Sequence, residues 1–298
     1  MNRDPGKGAT APKLTLIERA AEVYDFGAPL RQGVPVPPAP VEAPVAPPAA
    51  RVSTAEWQGT VHPIDRQALG DQGFVDPKGA ATGLSEEFRI VKRQVLKQVF
   101  DEQSSAPPVV LISSAHPGDG KTWMAINLAL SLSAESDLDV LLVDADFGKP
   151  DVCAQLGLPA GPGLMDALTD PSVDVAQLVM RTDIPSLSVL PAGRQVNNDT
   201  EVLASDRTRA VLDRLVEGHP RRIILLDSPP ALAASAASEL ARHVGLVLMV
   251  VRADRTSDVA LRDAVHLLAA CPNIRAVLNG VKFSSSGRLF GAYYGKRN

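Results

Sequence analysis

Aromatic side chains make up only 4% of the 298 residues, so a core of any size must be built from aliphatic groups. Cysteine is nearly absent: Cys153 and Cys271 stand in unrelated contexts without ligand-like spacing. That excludes a disulfide framework and a zinc site and suits a reducing compartment. The five histidines are scattered and carry no metal signature. A formal charge of −4 lacks the basic footprint of a general nucleic-acid binder, so no nucleic-acid partner is expected. No stretch approaches the roughly 18–20 continuous apolar residues that cross a bilayer, and the N-terminus lacks a signal-peptide core. A cytoplasmic chain is expected, peripheral to the inner membrane face only through a partner.

What the chain does have is a glycine-rich loop, Ala115-His116-Pro117-Gly118-Asp119-Gly120-Lys121-Thr122, directly after the apolar run Val109–Ile112. Strand, glycine turn and helix together make a nucleotide phosphate cradle. Backbone N–H groups of the turn and of the following helix N-terminus meet phosphates. Lys121 supplies charge for the β- and γ-phosphates, and the Thr122 hydroxyl is placed to ligate Mg²⁺. The helical run Trp123–Leu132 supplies the context this loop requires.

Along the chain, three regions differ in character. In residues 1–83, Thr15-Leu-Ile-Glu18 has capping-box form and predicts a short helix, while Val34–Pro48 holds seven prolines and reads as a semi-rigid polyproline spacer. Residues 50–80 show no usable periodicity, and the whole region is expected to be largely flexible. A folded domain is expected over 84–283, opening with a helix that Ser85 caps and that carries an apolar stripe of Phe88, Val91, Val95 and Val99. Apolar runs at 109–112, 140–143, 187–190, 223–226, 246–251 and 276–278 are continuous rather than alternating, which marks strands covered on both faces. Helices are predicted near 122–134, 163–169, 173–180, 200–217, 233–242 and 256–270. The fold class is therefore α/β, a P-loop type, mostly parallel sheet flanked by helices. A short flexible tail, 284–298, follows.

Ligands of such sheets sit beyond the carboxyl ends of the strands, and two strands end in aspartate. Val140-Leu-Leu-Val-Asp144-Ala-Asp146 places two carboxylates at one terminus, and Ile223-Ile-Leu-Leu-Asp227 places a third at another. The second has the form of a Walker B strand, whose aspartate holds Mg²⁺. Three such groups in register with a phosphate loop predict metal-assisted phosphoryl transfer.

The order Ser-Ala-His-Pro-Gly-Asp-Gly-Lys-Thr, Leu-Leu-Val-Asp-Ala-Asp and Leu-Leu-Asp-Ser-Pro-Pro resembles the bacterial tyrosine kinases that accompany capsule and exopolysaccharide export. The resemblance runs over about residues 84–298 and includes the passage Ser188-Val-Leu-Pro-Ala-Gly193. It implies ATP and Mg²⁺ as ligands, with Lys121, Asp144 and Asp146 as the catalytic group and Thr122, Asp146 and Asp227 around the metal. Asp144 or Asp146 would orient the attacking tyrosine; Asp144 is the preferred choice. Glu86, Arg89 and Lys92 match, with Lys for the final Arg, a Glu-x-x-Arg-x-x-Arg helix that forms subunit contacts. Tyr293 and Tyr294, two of only three tyrosines, would be phosphorylated in a neighbouring subunit's site.

The same resemblance implies a membrane-embedded activator of the polysaccharide co-polymerase type and a tyrosine phosphatase as partners. Two other readings compete. A partitioning-type deviant-Walker ATPase would carry a lysine where this loop has His116, and a regulatory pseudokinase would bind ATP without transferring phosphate.

Overall fold

A computed structural model of the chain describes residues 60–101 and 105–281. The expected N-terminal helix, the proline-rich spacer, Tyr293 and Tyr294 lie outside the described residues. Eight strands form one sheet in the order β1-β4-β5-β3-β6-β2-β7-β8. They are β1 (Val61–His62), β2 (Val109–Ser114), β3 (Asp139–Asp144), β4 (Met180–Thr182), β5 (Leu187–Leu190), β6 (Arg222–Asp227), β7 (Leu246–Arg252) and β8 (Ile274–Asn279). Every pairing is parallel except β4 with β5.

All six residues of β2 are buried, as continuous apolar runs covered on both faces require. Successive side chains of a strand point to opposite faces, and β2 divides accordingly. Val109 and Leu111 join a core that also holds Leu164, Val211, Leu212 and Ala264. Val110 and Ile112 join another with Leu69, Phe88, Val95 and Leu128. The first core is covered by helices α5 (Leu164–Thr169), α7 (Asp206–Val216) and α9 (Asp258–Leu267), the second by α1 (Arg66–Asp71), α2 (Gly83–Val99) and α3 (Lys121–Leu132). Short helices α4 (Val152–Gln155), α6 (Asp199–Leu203) and α8 (Ala236–Leu240) complete the connections.

The fold begins earlier than residue 84. Strand β1 pairs with β4 at the sheet edge, and Ile64, Leu69, Phe74 and Val75 are buried. Asn127 on α3 reaches this segment: its Oδ1 accepts from the Val75 N–H at 2.8 Å while its Nδ2 donates to the Trp123 carbonyl. The segment carries no periodic pattern because Ile64, Leu69 and the adjacent pair Phe74 and Val75, irregularly spaced, do the anchoring. Helix α2 also starts two residues before Ser85. Thr82 is its cap, and Ser85 closes the capping box, each residue's hydroxyl accepting from the other's N–H. The predicted helix over 173–180 is a single 3-10 turn, Val175–Leu178, followed by β4. Likewise 200–217 is two helices, α6 and α7, broken at Ser205.

Candidate functional site

The glycine loop occupies the point where chain connections diverge: β2 leads through α3 to β3 on one side, and β6 leads through α8 to β7 on the other. That is where open α/β sheets bind ligands. Gly118 and Gly120 have φ of +79° and +98°, backbone that favours glycine. His116, Pro117 and Gly118 are exposed, whereas Ala115 and Asp119 are buried. Asp119 faces inward as a brace: its Oδ2 accepts from the His116 N–H at 3.0 Å and from the Thr256 hydroxyl at 3.4 Å. Ser114 Oγ donates to the His116 carbonyl at 2.9 Å, closing the turn on itself. The carboxylate of Asp119 and the N–H of His116 therefore shape the loop instead of facing outward.

Helix α3 begins at Lys121, and no side chain caps it. Its first-turn N–H groups thus lack the partner that a capping residue provides, which suits an anion at this end. Lys121 is buried. Its charge pulls down the proton affinity of both Asp146 and Asp227, so the ammonium lies within electrostatic reach of both.

The three carboxylates occupy unlike surroundings. Asp144 and Asp227 are register partners at the ends of β3 and β6. Asp144 is buried and spends both oxygens on backbone: Oδ1 accepts from Asp146 N–H, and Oδ2 from Asp151 and Val152 N–H at 2.9 and 3.0 Å. Burial nevertheless pushes its pKa up to about 6, with those three N–H groups pulling against it. Asp146 is half-buried; Oδ1 accepts from Lys149 N–H at 3.2 Å, and Oδ2 has no hydrogen-bond partner among the described residues. Burial raises its pKa too, and Lys121 opposes the shift.

Asp227 is buried with neither oxygen hydrogen-bonded. Burial pushes its pKa up to about 8; the neighbouring Thr122 hydroxyl pulls it down, and Asp144 repels its charge. Thr122 thus stands beside Asp227 without meeting hydrogen-bond geometry. An uncompensated buried carboxylate is costly, so this pair of oxygens fits a cation or a water held by one. Among the described residues no three His, Cys, Asp or Glu side chains form a metal cage. Mg²⁺ rarely uses such cages, being held through one or two carboxylates, waters and substrate phosphates, so Thr122, Asp146 and Asp227 remain a fitting donor set.

Residues Glu86, Arg89 and Lys92 do not share one outer face. Glu86 and Arg89 form an intrahelical ion pair near the surface, but Lys92 is buried, its Nζ 2.7 Å from Glu135 and 3.0 Å from the Ser131 carbonyl. Six residues of α-helix rotate the side chain about 120° away from its starting direction, and that carries Lys92 under the helix. The passage Ser188–Gly193 serves packing: the Pro191 and Ala192 carbonyls accept from Leu164 and Met165 N–H. A Cβ on Gly163 would collide with Pro191.

A family model described as AAA domain matches residues 108–277, more than half of the chain. The chain belongs to the AAA domain family. EpsB of Ralstonia nicotianae is 32% identical over 200 residues, 66% of this chain and 26% of the relative. The tyrosine-protein kinase YwqD of Bacillus subtilis is 29% identical over 216 residues, 72% of this chain and 87% of the relative. Among solved structures, the kinase domain of VpsO is 28% identical with a TM-score of 0.56, covering 66% of this chain and 96% of that domain. The chain spans about a quarter of the length of EpsB. Among the described residues of this AAA domain protein, no helix is long and apolar enough to cross a membrane.

Sequence reasoning did not reach Thr256 or Arg255 as parts of the loop's surroundings, and it marked Asn279 only as a strand-end residue that could face the nucleotide base. Asn279 Nδ2 donates to the Asp119 carbonyl at 2.9 Å, and its position at the end of a strand was the only signal available.

Proposed function

We propose that this chain is an ATP-dependent protein-tyrosine autokinase that phosphorylates Tyr293 and Tyr294 of a neighbouring copy. The observation that carries the reading is the partnerless Asp227 carboxylate beside Thr122 and Lys121 at the mouth of the phosphate loop. Relatives named tyrosine-protein kinases, such as YwqD, support the choice of acceptor.

ATP would lie along the loop from His116 to Thr122, held by backbone N–H groups of the turn and of α3. When bound, Mg²⁺ neutralises charge that develops on the transferred phosphoryl group. Thr122, Asp146 and Asp227 would hold it, directly or through water. Lys121 draws the phosphates into register, and most of the rate comes from positioning and charge stabilisation. For accepting the tyrosine proton, Asp146 is the better group, its share in the metal then being through water: it is half-exposed and keeps Oδ2 free of protein partners among the described residues, whereas the oxygens of Asp144 are held by three N–H groups. Asp144 thus positions the turn that carries Asp146.

By the same reading the partners are other copies of the chain, a membrane co-polymerase-type activator and a tyrosine phosphatase. The output is control of exopolysaccharide polymerisation and export. His116, in place of an early loop lysine, counts against a partitioning ATPase. The test is incubation of the purified chain with Mg-ATP and detection of phosphotyrosine. Wild type should label, and Lys121→Ala and Tyr293→Phe/Tyr294→Phe should not; equal labelling in all three would refute the reading.

A further inference from the structure

Arg255 stands in the loop between β7 and α9, directly over the phosphate loop. The one heavy atom within 4 Å of where a Cβ on Gly118 would sit is Nη1 of Arg255, at 4.0 Å. The guanidinium is exposed and has no ion pair or side-chain hydrogen bond among the described residues. Arg252, three residues earlier, differs. Its guanidinium carbon would lie 2.7 Å from a Cβ on Gly280, so that head is folded against the turn after β8.

The backbone that presents Arg255 is held to the phosphate loop. Asp254 has φ of +63°, left-handed backbone that a non-glycine residue adopts only when its surroundings impose it. Thr256 Oγ1 accepts from the Arg252 N–H at 3.0 Å and donates to Asp119 Oδ2 at 3.4 Å. The Arg255 and Thr256 N–H groups both donate to the Arg252 carbonyl. An exposed arginine is thus carried on a tight turn that is bonded to the loop beneath it. An unpaired fork of N–H donors so placed is suited to phosphate oxygens.

Sheet order says which phosphate. The carboxylates Asp144 and Asp227 end β3 and β6, and Asp146 lies in the turn just after β3, all on one side of β2, while β7 and its loop lie on the other. The transferred γ-phosphate must face the metal and acceptor side, so the opposite side receives the α-phosphate end of the nucleotide. We propose that Arg255 binds the α-phosphate, as a nucleotide-binding residue outside the glycine loop. The inference rests on the reading of that loop as an ATP site.

The test is titration calorimetry of the full chain with Mg-ADP and with a Mg-bound non-hydrolysable ATP analogue, on wild type, Arg255→Ala and Arg255→Gln. Both variants should lose about tenfold in affinity for both nucleotides, equally, since the α-phosphate is common to them. In the kinase assay KM for ATP should rise while kcat at saturation stays unchanged. Melting temperatures without nucleotide should match wild type, because the side chain is exposed and unpaired. Unchanged affinities, or a loss confined to the triphosphate, would overturn the assignment while leaving the ATP site standing. Wild type that binds neither nucleotide would overturn the site and this assignment together.

Discussion

Asn279 and Asp119 join the last strand of the sheet to the phosphate loop: Asn279 Nδ2 donates to the Asp119 carbonyl at 2.9 Å, and the same nitrogen fills the space beside Gly120. A Cβ at position 120 would collide with it, and φ there is +98°. Gly120→Ala should therefore destabilise the chain by about 1–3 kcal/mol and abolish measurable nucleotide binding. Asn279→Ala, which only releases a hydrogen bond, should cost about 1 kcal/mol and weaken binding without abolishing it. Thermal melting and nucleotide titration of the two variants check both.

Two raised carboxyl pKa values give the nucleotide-free chain a defined response to pH. Asp144 is pushed up to about 6 and Asp227 to about 8, from 3.8. Between these values the folded chain keeps protons that the unfolded chain has released, so stability falls as pH rises. The contribution is complete below about pH 4 and is lost as pH climbs through about 6 and then about 8. The melting temperature should decline from about pH 5 to about pH 8.5, and Asp227→Asn should flatten the upper part of that decline. Mg-nucleotide binding at neutral pH should release protons, seen as a dependence of the calorimetric heat on buffer ionisation.

Asp144 and Asp146 should fail in different ways when neutralised. Asp144→Asn puts an amide where three N–H groups need acceptors and should cost about 1–3 kcal/mol of stability. Asp146→Asn removes a half-exposed group and should leave melting nearly unchanged while lowering autophosphorylation about 100-fold or more. Equal melting temperatures, or equal residual activities, would contradict this division of labour.

Lys92 and Arg89 should likewise part company. Lys92→Ala breaks a buried contact with Glu135 and with the Ser131 carbonyl, leaving that end of α3 without its donor. A loss of about 1–3 kcal/mol is expected, with no change in assembly at temperatures where the fold persists. Arg89→Ala should leave melting within about 0.5 kcal/mol of wild type. It should reduce self-association in sedimentation, as a subunit contact through the half-buried Glu86 and exposed Arg89 requires.

Much of this architecture was legible because burial on both faces leaves an unmistakable trace in sequence. Val109–Ser114, Asp139–Asp144 and Arg222–Asp227 each hold four consecutive apolar residues, and the aspartates that end the last two stand out against them. Strands β1 and β4 left no such trace: with two residues at the sheet edge and three beside it, neither is long enough to form a pattern. The Ile64–Val75 segment escaped notice because its burial rests on separate side chains and on one asparagine from α3. At the site, the loop, Lys121 and the three carboxylates were evident as motifs, but their division of labour was not. Which oxygens of Asp144 are spent depends on Asp151 and Val152, and whether Lys92 faces outward depends on what α2 packs against. Arg255 belongs to no glycine or acidic motif, and only the turn at Asp254 brings it over Gly118.

The position of β2 also governs when the cradle can first exist during synthesis. Its hydrogen-bonding neighbours are β6 and β7, made more than a hundred residues after it, and the loop's brace at Asn279 comes later still. A ribosome that has just released the glycine loop therefore exposes a strand with no partners. The nascent chain cannot hold nucleotide until almost the entire described domain has emerged. Translation speed between residues 115 and 279, and whatever shields that strand meanwhile, should bear directly on the yield of active protein.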